Sequence, residues 1–138
     1  MVSKWMDPGE LTKILSGGDL LEFDYPGYSH WGVYVKDSSL TPAGGSKDNP
    51  GEMHGDMVHL TRADGKVMLE YVKDQEARGR KNTLLDGLKK PKDAEEICRD
   101  ALSMVGSQGY NVLSYNCEHL ANECRYEDAE SGQIEENL

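Results

Sequence analysis

The clearest hydrophobic pattern lies near the end of the chain. Cys117, Leu120, Ala121 and Cys124 recur at i, i+3, i+4 and i+7, which places one apolar stripe along a helix. Asn116 stands just before it and is a good N-cap, because its side-chain oxygen can accept an N–H of the first turn. A second stripe, Ala94, Ile97, Cys98, Ala101, Leu102 and Val105, predicts a longer helix that Asp93 caps and Gly106 ends. A third helix is predicted after Asp7-Pro8-Gly9-Glu10. Asp7 caps it, Glu10 completes an approximate capping box, Leu11, Ile14 and Leu15 form its apolar side, and Ser16-Gly17-Gly18 stops it.

Alternating and β-branched runs predict strands between these helices. Asp19 to Asp24 reads as one strand, and Tyr25-Pro26-Gly27-Tyr28 as the turn after it. Ser29 to Val35 returns, with Trp31, Val33 and Val35 on the core face and His30, Gly32 and Tyr34 opposite. Met57 to Leu60 and Lys66 to Val72 flank a hairpin turn at Ala63-Asp64-Gly65. Residues 37 to 53 lack periodicity and read as a long surface loop, with His54 at its end. Lys73 to Lys90 reads as an exposed connection. Tyr110 to Leu113 reads as a short extended piece, and the tail 127–138 as an acidic segment that frays.

Composition narrows the picture. A chain of 138 residues suits one domain with a real core, set here at about residues 16–126. A net charge of -10 argues against nucleic acid and against attraction to anionic membranes. The first residues lack a signal-peptide h-region, and no run has transmembrane length. Three cysteines without a CxxC fit free thiols in a reducing, cytoplasmic compartment.

Cys117 is the first residue of its helix and points inward. The unpaired N–H groups and the positive end of the helix favour its thiolate, which makes it a candidate nucleophile. The alternative is an inert core cysteine. A nucleophilic thiol needs a base, and the base needs a group to orient it. His119 lies two residues further on and points about 200° away around the axis, so a capping or solvated role suits it better. His30 and His59 lie on strands near loop ends, and adjacent strands can bring both rings to the helix N-terminus. A zinc site from His54, His59, Cys117 and His119 lacks recognised ligand spacing, so no metal or other cofactor is expected. A binding module with incidental histidines is the remaining reading of these residues.

Several stretches together resemble the lecithin:retinol acyltransferase family. They are Gly18-Asp19-Leu20-Leu21-Glu22-Phe23, Ser29-His30-Trp31-Gly32-Val33-Tyr34-Val35, Val58-His59-Leu60 and Asn116-Cys117-Glu118-His119-Leu120. The resemblance runs from about Gly18 to Tyr126 and is nearest the H-Ras-like suppressor phospholipase/acyltransferase branch. It implies an α+β, permuted NlpC/P60 fold of the papain-like kind, with an antiparallel sheet packed on the nucleophile helix. It implies Cys117 as nucleophile, His30 as general base and His59 as the histidine that orients it, with Tyr28 and Asn116 in support. The implied substrate is an acyl ester of a glycerophospholipid, attacked through an acyl-cysteine. The net charge of -10 and the lack of an apolar anchor point to transient membrane contact at most. A thiol amidase or peptidase and a silent interaction module are the competing functions. The chain differs from the family in three ways. His30 and His59 are separated by 29 residues rather than a tight hairpin, an apolar C-terminal anchor is not seen, and Leu120 replaces a usual Phe. His59 is preferred to His54 as second histidine because a strand holds a ring more firmly than a loop.

Overall fold

The structure is a computed structural model that describes residues 1–41, 52–62, 65–108 and 116–126. Its elements are α1 (Pro8–Leu11), β1 (Leu20–Tyr25), β2 (Tyr28–Leu40), β3 (Met53–Thr61), β4 (Lys66–Glu70), β5 (Gly79–Lys81), α2 (Ala94–Ser103) and α3 (Cys117–Arg125). The architecture is α+β. The strands form one antiparallel sheet in the order β4-β3-β2-β1-β5.

The hairpins follow from local chemistry. Pro26-Gly27 turns β1 into β2, with Tyr25 opposite Tyr28 and Gly27 at φ 82°, a conformation that favours glycine. Pairing of Thr61 with Lys66 then sets His59 opposite Met68. Both faces of the sheet are covered. Leu20, Val33, Val58, Leu60, Val67 and Leu69 meet Ile97 and Ala101 of α2 and Leu120, Ala121 and Cys124 of α3. On the other face Leu21, Phe23 and Met57 pack with Leu11 and Val72. Alternation assigns the two sets, since side chains at i and i+2 share a face.

The two long helices stand where their stripes put them. α2 has Asp93 at its N-cap position, but Asp93 makes no side-chain cap bond, contrary to expectation; Gly106 follows the helix at φ 94°. α1 is shorter than expected. It ends at Leu11, Asp7 makes no side-chain cap bond, and Ile14 is exposed.

Two segments read as irregular contain strand. β2 continues to Leu40 and β3 starts at Met53, so Asp37 to Leu40 and His54 belong to paired strands. A shift in register between Tyr34 and Ser38, beside Lys36 at φ 63°, lets this polar ladder continue past the hydrophobic part. β5, only Gly-Arg-Lys, pairs with β1 at the sheet edge. Its side chains carry no alternating signal, because the backbone supplies the pairing. Most of the expected 37–53 loop, the piece Tyr110 to Leu113, residues Ser114 and Tyr115, the Ala63-Asp64 half of the turn and the tail 127–138 lie outside the described residues.

Candidate active site

The N-terminus of α3 is closed by a reciprocal cap. Asn116 Oδ1 accepts the His119 N–H at 3.0 Å, and His119 Nδ1 accepts the Asn116 N–H at 3.1 Å. This is the capping role expected of His119. It fixes Cys117, which is 7% exposed, at the first helical position.

The thiol meets the sheet where two strands part. The ladder between β2 and β3 begins at Gly32↔His59, and at Trp31 β2 is still paired with Glu22 of β1. At this end the Trp31 N–H donates to Cys117 Sγ at 3.3 Å. A cavity of about 340 Å³ opens here between Tyr28, Trp31 and Leu60 on one side and Asn116, Cys117 and Glu118 on the other, with Arg62 also lining it. The Arg62 guanidinium lies 3.9 Å from the centre of the Tyr28 ring, which stacks on Tyr25 at 5.4 Å.

His30 precedes Trp31 and is buried among aromatic rings, with Phe23 at 6.5 Å and Tyr25 at 6.3 Å between centres. Its Nε2 lies 2.7 Å from His59 Nδ1. Among the described residues no hydrogen bond joins Cys117 Sγ to His30. Catalytic contacts are often long before substrate binds. Burial, with help from His59 and Arg62, pushes the His30 pKa down to about 4. The ring is therefore neutral at pH 7 and can accept a proton.

His59 Nε2 in turn bonds to Glu70 Oε1. That bond, working against burial, holds the Glu70 carboxyl below the usual carboxylate range. Glu70 is the site residue that sequence reasoning missed. In sequence it is one polar position within the expected strand Lys66 to Val72. The signal lay in register: with Met68 opposite His59, Glu70 is the next residue on the same face.

The expected preference for a thiolate needs correction. Burial raises the Cys117 pKa, and the N–H groups of Trp31, Cys117 and Glu118 and the charge of Arg62 offset only part of that. The resting group is therefore a thiol. Cys124 is deeper still, with its pKa pushed up to about 12, and the Cys98 pKa is also raised by burial. His54 lies near the start of β3 with an exposed side chain 3.7 Å from Glu52, away from the His30–His59 pair. The conceivable zinc set is thus dispersed, with His119 in the helix cap and His59 bonded to His30 and Glu70.

Residues 13–130 match the model of the lecithin retinol acyltransferase family, and the chain belongs to that family. It is 30% identical to human phospholipase A and acyltransferase 4 over 121 residues, which cover 86% of this chain and 74% of that protein. To human phospholipase A and acyltransferase 3 it is 29% identical over 120 residues, 85% of this chain and 74% of the relative. To rat phospholipase A and acyltransferase 5 it is 27% identical over 126 residues, 88% of this chain and 42% of that longer protein.

Proposed function

We propose that the protein is a thiol-dependent acyl hydrolase and acyltransferase acting on glycerophospholipid acyl esters through an acyl-Cys117 intermediate. The observation that carries this reading is the Cys117 thiol at a capped helix N-terminus, in a cavity at the end of the sheet that bears the buried His30–His59 pair. The relatives named phospholipase A and acyltransferase point to the same chemistry.

His30 is the general base. The Cys117 S–H proton passes to its ring, Sγ bonds to the ester carbonyl carbon, and the carbon–oxygen bond to the leaving alcohol breaks. His30 returns the proton to that alcohol. Water, an amine or another alcohol then attacks the thioester, and its proton passes through His30 to the departing sulfur. A thiolate both attacks and leaves well, which suits two successive acyl transfers. His59 orients His30. Tyr28 carries Arg62 beside the thiol, and that positive charge suits a substrate phosphate better than a neutral peptide. Asn116 holds the helix start.

The catalytic unit takes in about residues 16–126, in a permuted NlpC/P60 arrangement. Three free cysteines fit a reducing compartment such as the cytoplasm. Among the described residues no helix is long and apolar enough to cross a membrane. Contact with lipid is transient, because a net charge of -10 opposes anionic surfaces.

The test is incubation with labelled phospholipid in micelles, with a peptide substrate in parallel, followed by intact mass. The expected result is one acyl group on Cys117. Cys117→Ser is expected to stay folded and lose nearly all hydrolysis, because a serine hydroxyl is much harder to deprotonate beside imidazole. Full activity in a Cys117→Ala variant with normal circular dichroism overturns the proposal. Peptide cleavage without lipid acylation replaces it with a thiol amidase or peptidase.

A further inference from the structure

We propose that Glu70 is a positioning residue of a His30–His59–Glu70 relay, which fixes the proton on each ring so that His30 offers a bare Nδ1 to Cys117. The chemistry of the relay rests on the acyl-transfer reading above, whereas its proton arrangement can be measured without any substrate.

The assignment follows from who can donate. An ionised carboxylate only accepts hydrogen bonds, so the bond between Glu70 and His59 puts a proton on His59 Nε2. In neutral His59 the other nitrogen, Nδ1, is then an acceptor. It lies 2.7 Å from His30 Nε2, which must therefore be the donor. Neutral His30 is left with its lone pair on Nδ1, the ring nitrogen turned away from His59. With the opposite arrangement, a proton on His59 Nδ1 would force one onto His30 Nδ1, and the base would be lost.

The fold supports each link. His59 is buried, so water competes little for its ring. Glu70 closes β4 on the face that His59 shares, and its backbone rests directly on Gly55 of β3. A Cβ on Gly55 would stand 2.6 Å from both Glu70 N and Glu70 O. When His30 takes the thiol proton, the pair of rings gains one positive charge. The Glu70 carboxylate, half exposed at the far end, offsets that charge and so favours the thiolate–imidazolium state.

The test uses the full chain with Glu70→Gln, Glu70→Ala and Glu70→Asp. One measurement is the pH profile of Cys117 alkylation by iodoacetamide, with the modified site read by mass. The other is the nitrogen-15 spectrum of the imidazoles in the unmodified protein. The expected spectrum has protons on Nε2 of both His30 and His59. Glu70→Gln and Glu70→Ala are expected to slow Cys117 alkylation at neutral pH about tenfold or more and to shift its profile to higher pH, with Glu70→Asp recovering part of the loss. A proton on His30 Nδ1 in the unmodified protein overturns the relay, as does an unchanged alkylation profile in folded Glu70→Gln. The first of these decides the matter even where a variant fails to fold. Dependence of alkylation on Glu70 without acyl-Cys117 on phospholipid keeps the relay and removes the lipid substrate. Acyl-Cys117 with no dependence on Glu70 removes the relay alone.

Discussion

His54 and His59 share a strand, but their surroundings differ. His59 is buried and bonded to His30 and Glu70, while His54 is exposed beside Glu52. Replacing a ring matters for chemistry only where the ring directs another group. His59→Ala is expected to slow formation of acyl-Cys117 by roughly a hundredfold, and His54→Ala by less than about twofold. Pre-steady-state measurement of the acyl-enzyme in both variants checks this, and a crippled His54→Ala variant would reverse the assignment. The sequence offered Cys117, His30 and His59 as candidates, a cysteine behind a cap and two histidines on hydrophobic strands, and the roles proposed for them came from the family resemblance. Glu70 was not among them. A carboxylate on a strand is ordinary, and its meaning depends on which residue the neighbouring strand sets beside it. The reason for preferring His59 also changes. His54 lies on a strand as well, so the two differ in register and burial rather than in rigidity.

At the level of elements, the two long helices and the hydrophobic halves of the strands were legible because their periods are set by burial. The polar ends of β2 and β3, and β5, were not, because backbone hydrogen bonds hold them and side chains give no sign of it. α1 stops early because Pro8-Gly9 gives it a weak first turn and Leu11 already fills its place in the core. The contact between β3 and the end of β4 yields a prediction. Gly55→Ala puts a methyl into backbone that has no room to move aside. It is expected to cost about 1–3 kcal/mol by overpacking and to slow Cys117 alkylation through displaced Glu70. Thermal unfolding and alkylation on the same sample check both effects, and a variant with unchanged melting temperature counts against the tight contact.

For the whole molecule, the sheet separates two cores, and the site lies at the end where the sheet opens. Burial of His30 there links function to acid stability. The folded pKa of about 4 lies below the ordinary histidine value of 6.5, so the unfolded chain binds more protons between them. The sign is therefore fixed. Stability is complete above about pH 6.5 and falls as pH drops toward 4, by something on the order of 3 kcal/mol from this ring. Glu70 and Asp86, whose folded pKa values are depressed by His59 and Arg125, add further losses only as pH falls below the normal carboxylate range. Calorimetric melting temperatures are expected to start falling below about pH 6.5, and His30→Gln is expected to remove that upper part of the decline. A flat melting temperature from neutral pH down to the carboxylate range would show that His30 is not neutral by burial.

The hydrogen bond from the Trp31 amide to Cys117 Sγ has a consequence of its own. On the proposed route each turnover converts that sulfur into a thioester, whose electron density is drawn toward the carbonyl, and a weaker acceptor holds an amide proton less well. The exchange of one backbone hydrogen with solvent thus rises and falls with acyl occupancy. Because the Trp31 amide is formed with the carbonyl of His30, this gauge sits one peptide bond from the base that drives the cycle, and it reads the covalent state of the enzyme without a label.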